Sequence, residues 1–316
     1  MKNLSLKTSC LALICTFLWG AGYSVVKYSY SEFGILPEDI PSKLLFAGIR
    51  FMLAGGLTLG YLWMRRKKPP CPTGISTGAL FCLSMFQTVL QYAFTYLGLA
   101  LTTGSKSAIL NQINIFLLVL LTPLFFRKES LTVPKCIGCI LGFAGIIVIN
   151  LEGLRFSFQS GDGFIVLSSL SAAAGYLISK KYAGNADPAV VTGMQQFLGG
   201  TVLLTSGLLT GGHITRFTLS GILSLVFLSL AAAVSYTLWV RLLQTNDVSA
   251  ISVYKFLTPL FGVLLSGLLL GEPVLCWQNG ISLALICLGI YLANKTTFIY
   301  DCKNWRKIWN ASKSLK

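Results

Sequence analysis

The sequence predicts an all-α integral membrane protein with ten transmembrane helices, arranged as two inverted five-helix repeats. Ten apolar stretches, separated by short loops, fill most of the 316 residues, and no Asp or Glu lies inside any of them. A helix of roughly 20 apolar residues crosses a ~30 Å hydrocarbon core, which predicts the ten spans. Short motifs that recur at a nearly constant offset predict the repeats.

The ten predicted spans leave little of the chain for a soluble domain. The composition is 54% hydrophobic and 11% charged, with a mean hydropathy of +0.72, which lies outside the range of soluble domains. The first span could be a signal peptide, but no small-residue cleavage site follows it, so we predict that it is retained. Hydropathy places the spans at 8–28, 44–64, 74–99, 104–126, 133–151, 163–182, 188–210, 217–240, 248–270 and 274–294.

The basic residues predict the orientation of the chain. The net charge is +15, yet most of the 25 Lys and Arg residues, including the run at 65–68, fall on one side of the predicted bundle. This distribution favours a membrane surface as the partner rather than nucleic acid. The acidic residues collect on the opposite side: Glu32, Glu38, Asp39, Glu152, Asp162 and Glu272. By the positive-inside rule we predict a multi-pass protein of the cell membrane with both termini in the cytoplasm.

The nine cysteines predict neither disulfide bonds nor a metal site. Most of them lie in or beside apolar spans, where Cys behaves as a small hydrophobic residue. Cys136 and Cys139 have C-x-x-C spacing, but no second pair and no nearby His would complete a zinc site. The sequence therefore predicts no metal and no cofactor.

Several motifs recur in the same order in the two halves of the chain. The Ala-Gly-Tyr run that ends at Tyr23 returns at Tyr176, and each run is followed four residues later by a lysine. Three further pairs are Ser107 with Ser249, Glu129 with Glu272, and Asn150 with Asn294. Each unit holds five spans, an odd number, so the second copy enters the membrane upside down.

Three segments follow from this duplication. We predict a first five-helix repeat at 1–151 and a second, inverted repeat at 152–294. The segment 295–316 alternates aromatic and basic residues, which predicts an amphipathic cytoplasmic helix lying on an anionic inner leaflet. A disordered tail is the alternative interpretation of that segment.

Motifs in both halves resemble a known family. The FLWG motif at 17–20, the Arg-Phe pair at 50–51, the segment 259–272 and the duplication resemble the EamA-like branch of the drug/metabolite transporter superfamily. The resemblance implies a carrier with a central cavity built mainly from helices 1, 3, 4, 6, 8 and 9. Phe116 stands where the family pattern has Pro, and Lys128 replaces the Gly before Glu129, so we expect helix 4 to be straighter than helix 9.

Polar and aromatic side chains recur at helical spacing on several spans. Trp19 and Tyr23 are four residues apart, as are Gln87 and Gln91, so each pair shares one face of an α-helix. Amides are costly in hydrocarbon, so we expect these faces to line a cavity inside the bundle. Amides that only join helices are the alternative. The predicted substrate-binding residues are Trp19, Tyr23, Gln87, Gln91, Asn111, Asn114, Tyr176, Tyr236, Trp239, Tyr254 and Lys255.

Three cations lie inside the predicted spans. Lys27 lies near a helix end, so its side chain can reach the headgroups, and we expect Arg50 to donate hydrogen bonds to backbone carbonyls. Lys255 is the deepest, roughly 10 Å beyond the preceding loop at 1.5 Å per residue. A lysine at that depth predicts a functional site. It either holds a substrate carboxylate or phosphate or carries a proton during transport, and the sequence leaves both open.

These features predict a secondary transporter that moves a small organic metabolite by alternating access. Without Asp or Glu in the spans, a permanently cationic drug has no counter-charge, so we expect an amino acid or a related zwitterion or anion. A non-transporting membrane scaffold or receptor-like subunit is the alternative. Homo-oligomerisation stays open. We predict no enzyme, because the G-x-S-x-G match at 74–78 opens a membrane span and His213 lies on the opposite side.

Overall fold

The described structure consists of helices and the loops that join them. A computed structural model describes residues 6–101, 110–126, 129, 131–149, 160–270 and 277–294. The predicted tail at 295–316 lies outside these residues, as do Ser107, Asn150 and Glu272. The helices in the described ranges are α1 (Leu6–Phe33), α2 (Ile40–Arg66), α3 (Thr77–Leu101), α4 (Ile113–Phe125), α5 (Val133–Ile149), α6 (Ser160–Tyr182), α7 (Pro188–Leu209), α8 (Leu219–Thr245), α9 (successive pieces Val248–Ser252, Val253–Phe256 and Leu257–Leu270) and α10 (Trp277–Asn294).

The helices have the length and composition of a membrane protein. Six of them, α1, α2, α3, α6, α8 and the first part of α9, are long and apolar enough to cross a bilayer. The helices α4, α5 and α10 are apolar but shorter within the described residues. The predicted all-helical membrane class is confirmed. Ten spanning helices in two inverted repeats stay a prediction.

Side chains in the loops fix where several helices begin. Asp39 Oδ1 accepts a hydrogen bond from Ser42 N at 3.0 Å, and Asp247 Oδ1 accepts one from Ala250 N at 3.2 Å. A carboxylate at this position satisfies a free backbone N–H and interacts favourably with the helix dipole. Asp39 and Asp247 therefore cap helices from the loops. Asp162, which we predicted to lie outside the spans, is instead fully buried in the first turn of α6.

Close glycine contacts hold two helix pairs together. A Cβ atom added to Gly48 of α2 would lie 2.3 Å from the backbone N of Leu204 in α7. One added to Gly138 of α5 would lie 2.5 Å from the carbonyl oxygen of Gly289 in α10. Small residues at such positions let membrane helices approach at backbone distance. The pairs α2–α7 and α5–α10 therefore pack as tight units.

The bundle has two distinguishable ends, which we call the Asp39 end and the Asp247 end. At the Asp39 end, Thr215 N donates to Phe33 O at 3.3 Å, which joins the loop before α8 to the end of α1. At the Asp247 end, Gln244 Nε2 donates to Ala186 O at 2.9 Å, which joins the end of α8 to the loop before α7. Successive helices run between these two ends.

Two helices depart from α geometry inside the bundle. In α3 the stretch Met85–Leu90 is a π-helix, and in α9 the stretch Val253–Phe256 is a 3-10 helix. The described part of α4 is α-helical over Ile113–Phe125, after a turn at Gln112. That helix 4 is straighter than helix 9 stays a prediction. Irregular turns inside long helices often mark functional sites. Both stretches adjoin the cavity described next.

Candidate functional site

A cavity of about 400 Å³ lies inside the bundle and extends toward the Asp39 end. Its lining includes Trp19 near the middle of α1, Tyr236 in the second half of α8 and Lys255 two turns into α9. It also includes Lys27 in the last two turns of α1 and Lys43 in the first turns of α2, which place its other side near the Asp39 end. The size fits a small organic molecule.

The structure brings most of the predicted site residues together. The predicted residues that line the cavity are Trp19, Gln91, Asn111, Asn114, Tyr176, Tyr236 and Lys255. They come from α1, α3, α4, α6, α8 and α9, the helices that the family resemblance implied. Gln87, Trp239 and Tyr254 lie outside the lining. The side chain of Tyr23 lies outside the described part of the structure.

Lys255 is buried among neutral groups. Only 8% of the residue is exposed, and its Nζ donates a hydrogen bond to Asn114 Oδ1 at 3.0 Å. The same Nζ lies 4.2 Å from the centroid of the Tyr176 ring and 5.6 Å from that of Trp19. Aromatic faces and an amide oxygen stabilise a cation without neutralising it. The charge of Lys255 is therefore available to an anionic ligand in the cavity.

An aromatic cluster forms one wall of the cavity. Trp19 contacts Tyr236 edge to face at a centroid distance of 5.6 Å and Trp239 at 4.9 Å. The hydroxyls of Tyr92 and Tyr236 are 3.2 Å apart. Trp239 is fully buried behind Trp19, so it supports the wall rather than contacting a ligand. These rings supply apolar surface beside the cationic group of Lys255.

Gln87 and Gln91 do not share one face, contrary to our expectation. Gln91 lines the cavity, whereas Gln87 is buried against α6, where a Cβ on Gly175 would lie 2.7 Å from Gln87 Cβ. The expectation was wrong because it assumed α geometry at 3.6 residues per turn. The stretch Met85–Leu90 is a π-helix, so the α-helical geometry on which the expectation rested does not hold between these two residues.

Tyr254 also lies away from the cavity, at the Asp247 end. Its hydroxyl is 2.8 Å from Ser9 Oγ near the start of α1. This contact joins α9 to α1 at the level where the bundle is densely packed. Around it lies the largest apolar cluster of the described residues, which includes Ala12, Cys15 and Leu243. This packing closes the bundle on the Asp247 side of Lys255.

Several lining residues were not among the predicted site residues. Tyr92, Tyr96 and Thr258 line the cavity, and so does Arg50, of which only 8% is exposed. The hydrogen bonds that we expected from Arg50 to backbone carbonyls do not occur within the described ranges, and its buried Nε has no partner. The sequence signal for Arg50 was its position as a cation inside a span, which we interpreted as structural.

A charged cluster lies at the Asp247 end, remote from the cavity. Lys135 Nζ lies 2.7 Å from Asp247 Oδ2, and the Lys135 side chain is 0% exposed. Lys180 Nζ lies 3.5 Å from Glu129 Oε1, and Glu129 Oε2 accepts a hydrogen bond from Val248 N at 2.8 Å. Burial, reinforced by the charge of Asp247, raises the pKa of Glu129 to about 7. We call Glu129, Lys135, Lys180 and Asp247 the closing cluster.

The two halves of the chain each match one family of known proteins. The EamA-like transporter family matches residues 6–151 and again residues 159–295. The chain belongs to this family. The resemblance inferred from the sequence motifs is thereby confirmed, and the protein is a membrane transporter rather than an enzyme.

Individual relatives of this EamA-like protein agree with that assignment. An uncharacterized transporter of Synechocystis is 27% identical, with the alignment covering 93% of this chain and 91% of that protein. The uncharacterized transporter YvbV of Bacillus subtilis is 29% identical, over 87% of this chain and 88% of that protein. The uncharacterized inner membrane transporter YedA of Escherichia coli is 24% identical, over 90% of each.

The crystal structure of another protein shares the fold. It superimposes with a TM-score of 0.75, covering 91% of this chain and 98% of that one, at 18% sequence identity. At that identity the similarity shows the arrangement of the helices and carries no information about the substrate. The chemistry of the cavity therefore depends on its own residues.

Proposed function

We propose that this EamA-like protein is a secondary transporter that moves an amino acid or a related zwitterion or anion across the cell membrane by alternating access. One observation carries the proposal: a cavity of about 400 Å³, with an aromatic wall and a buried lysine, lies inside the bundle. A scaffold needs no such space. The residues that bind the substrate are Trp19, Gln91, Asn111, Asn114, Tyr176, Tyr236 and Lys255.

The pattern of helix contacts supports two five-helix repeats, at 1–151 and 152–294. The helix α1 packs on α8 and α9, while α6 packs on α3 and α4. The pairs α2–α7 and α5–α10 complete the main contacts. If each helix of the first half is exchanged with its counterpart in the second half (α1 with α6, α2 with α7, and so on), every one of these pairs becomes a pair of the same set. A twofold relation between two repeats requires this. Because five is odd, such repeats are inverted in the membrane.

Alternating access requires that one end be closed while the other admits the substrate. The cavity extends toward the Asp39 end, where Lys27 is exposed. At the Asp247 end the closing cluster and the apolar packing around Cys15 separate the cavity from the loops. The positive-inside rule places the Asp247 end in the cytoplasm. The structure then corresponds to a conformation that is closed toward the cytoplasm.

This orientation predicts which loop cysteines can be labelled from each side. Cys71 lies exposed in the loop between α2 and α3, at the Asp247 end. We expect a membrane-impermeant maleimide to label it only in inverted vesicles. In a Cys71→Ser background, Glu38→Cys, at the exposed Asp39 end, should be labelled only in intact cells. Labelling of both positions from the same side would contradict the orientation and the arrangement of spans.

Transport itself is tested with purified protein in liposomes. We expect the protein to accumulate or exchange at least one component of a mixture of amino acids and organic acids, measured by mass spectrometry of the washed vesicles. Lys181→Met, an exposed cation at the opposite end from the cavity opening, should transport normally. If the vesicle contents match those of protein-free liposomes for every component, the scaffold alternative is favoured.

A further inference from the structure

Two buried cations belong to the same cavity, and neither has a carboxylate partner among the described residues. Among the residues that the structure describes, Lys255 is held only by Asn114 and two aromatic rings. Arg50 lies on α2, a different helix, with its Cζ 5.0 Å from the centroid of the Phe51 ring. Both residues are only 8% exposed, and both line the cavity.

Such an arrangement is costly in the absence of a ligand. Removing a charge from water into a membrane protein is unfavourable unless an opposite charge or several hydrogen bonds compensate it. Lys255 has one hydrogen bond to a neutral group, and Arg50 has none within the described ranges, with its Nε buried and unpaired. The five N–H groups of an arginine form a fork that matches a carboxylate or a phosphate. The group that would compensate the charges of Lys255 and Arg50 is therefore an anion.

The remainder of the lining has the same electrostatic sign. Lys27 and Lys43 line the cavity where it approaches the Asp39 end, so the charged side chains of the lining are cationic there too. No Asp or Glu occurs among the described lining residues. The ammonium group of a zwitterion would have no carboxylate to pair with, and the rings of Trp19 and Tyr176 already face the Lys255 ammonium. A substrate with two anionic groups supplies one compensating charge to each of the two buried cations.

We propose that the substrate carries two anionic groups, as a dicarboxylate or a phosphorylated carboxylic acid does. Lys255, together with Asn114, binds one group, and the Arg50 guanidinium binds the other through paired hydrogen bonds. The aromatic wall around Trp19 and Tyr236 contacts the carbon skeleton between them. This inference rests on the proposed transport function and narrows its substrate to molecules with two anionic groups, which we call dianions although a phosphate group can carry more than one charge.

The experiment compares two sets of probes for binding to the detergent-purified full chain, by thermal shift and calorimetry. The dianionic set contains malonate, succinate, glutarate, phosphoglycolate and phosphoenolpyruvate, and the matched set contains butyrate, glutamine and leucine. We expect saturable binding of at least one dianion, with an optimum chain length, because the two cations are fixed on different helices. The two kinds of dianion within the set distinguish a carboxylate from a phosphate as the second group.

Variants then assign the two positions. Arg50→Gln should weaken dianion binding by about 10-fold to 100-fold, the range expected for losing hydrogen bonds to a charged group. Butyrate binding, if it is measurable, should stay unchanged in that variant. Arg50→Lys keeps the charge without the fork and should lose less affinity, so it tests the inference even if Arg50→Gln is unstable. Lys181→Met serves as the matched control.

The inference is overturned if no dianion binds or if Arg50→Gln and Arg50→Lys both bind dianions with wild-type affinity. Binding and transport of glutamine or leucine without any dianion would reject the two-anion substrate and leave the transport function standing. Absence of binding by both sets, together with no transport of any mixture component, would reject both.

Discussion

Lys255→Met should abolish saturable uptake by the reconstituted protein and weaken anion binding by about 10-fold or more. The lysine is the deepest cation of the cavity, and methionine keeps much of its length while removing its charge. The hydrogen bond to Asn114 and the contacts with the Tyr176 and Trp19 rings disappear with the ammonium group. Uptake into proteoliposomes and calorimetric binding measure the two effects separately.

A second variant separates the two roles that remain open for Lys255. If the ammonium group only anchors the substrate, Lys255→Arg keeps a positive charge and should retain part of the binding and part of the uptake. If Lys255 carries a proton, both variants should lose gradient-driven uptake while counterflow exchange persists, because arginine does not release its proton at accessible pH. Normal affinity and normal accumulation in Lys255→Met would remove the residue from the site.

The spans could be predicted because the bilayer imposes their length. The predicted span 44–64 corresponds to α2 at Ile40–Arg66, and 217–240 corresponds to α8 at Leu219–Thr245. The helices extend beyond the apolar stretch because loop residues cap them: Asp39 accepts from the backbone of α2. Hydropathy reports the hydrocarbon thickness, whereas caps and polar end turns set the helix ends.

The residue types of the site could be predicted from the sequence, but the face of α3 on which each of its residues lies could not. Intramembrane amides, aromatics and Lys255 were recognisable one residue at a time, because each is costly in lipid. The π-helix at Met85–Leu90 has no Gly or Pro to signal it, so the turn that separates Gln87 from Gln91 is not readable from the sequence. The close approach of Gly175 to Gln87 depends on tertiary packing.

The closing cluster was not predictable as a unit. Lys135 and Asp247 are 112 positions apart, and Glu129 and Val248 are 119 apart. No local spacing relates them. On the sequence, Lys135 contributed only to the count of basic residues on one side, and Lys180 contributed to that count and to the repeated motif. Their ion pairs form because the starts of α5 and α9 and the end of α6 meet at the Asp247 end.

Breaking this cluster should open the Asp247 end. Asp247→Asn removes the counter-charge that lies 2.7 Å from the fully buried Lys135 Nζ while keeping a side chain that can cap α9. Removing one partner of a buried ion pair typically costs about 3–5 kcal/mol. That cost falls on the conformation in which the two residues meet, so the population should shift toward one that is open at this end.

Two native cysteines report on that shift. Cys15 is fully buried, and its thiol donates to Ser235 O at 3.4 Å, between the cavity and the Asp247 end. Cys71 is exposed in a loop at the same end and serves as an internal reference. We expect Asp247→Asn to raise the alkylation rate of Cys15 relative to Cys71, measured by mass spectrometry of the labelled peptides. An unchanged ratio would mean that the cluster does not hold this end closed.

The same readout should depend on pH through Glu129. In the closed arrangement burial, together with the Asp247 charge, raises its pKa from 4.5 to about 7, against the opposing effect of Lys180. The closed arrangement therefore binds a proton more tightly than an open, hydrated one, and it loses stability as pH rises from about 4.5 to about 7. The Cys15-to-Cys71 labelling ratio should increase over that interval and level off above it. The side chain in Glu129→Gln stays neutral at every pH, so the labelling ratio of that variant should not show this rise. A wild-type ratio that falls as pH rises would show that another group controls the closure. A rise that persists in Glu129→Gln would show the same.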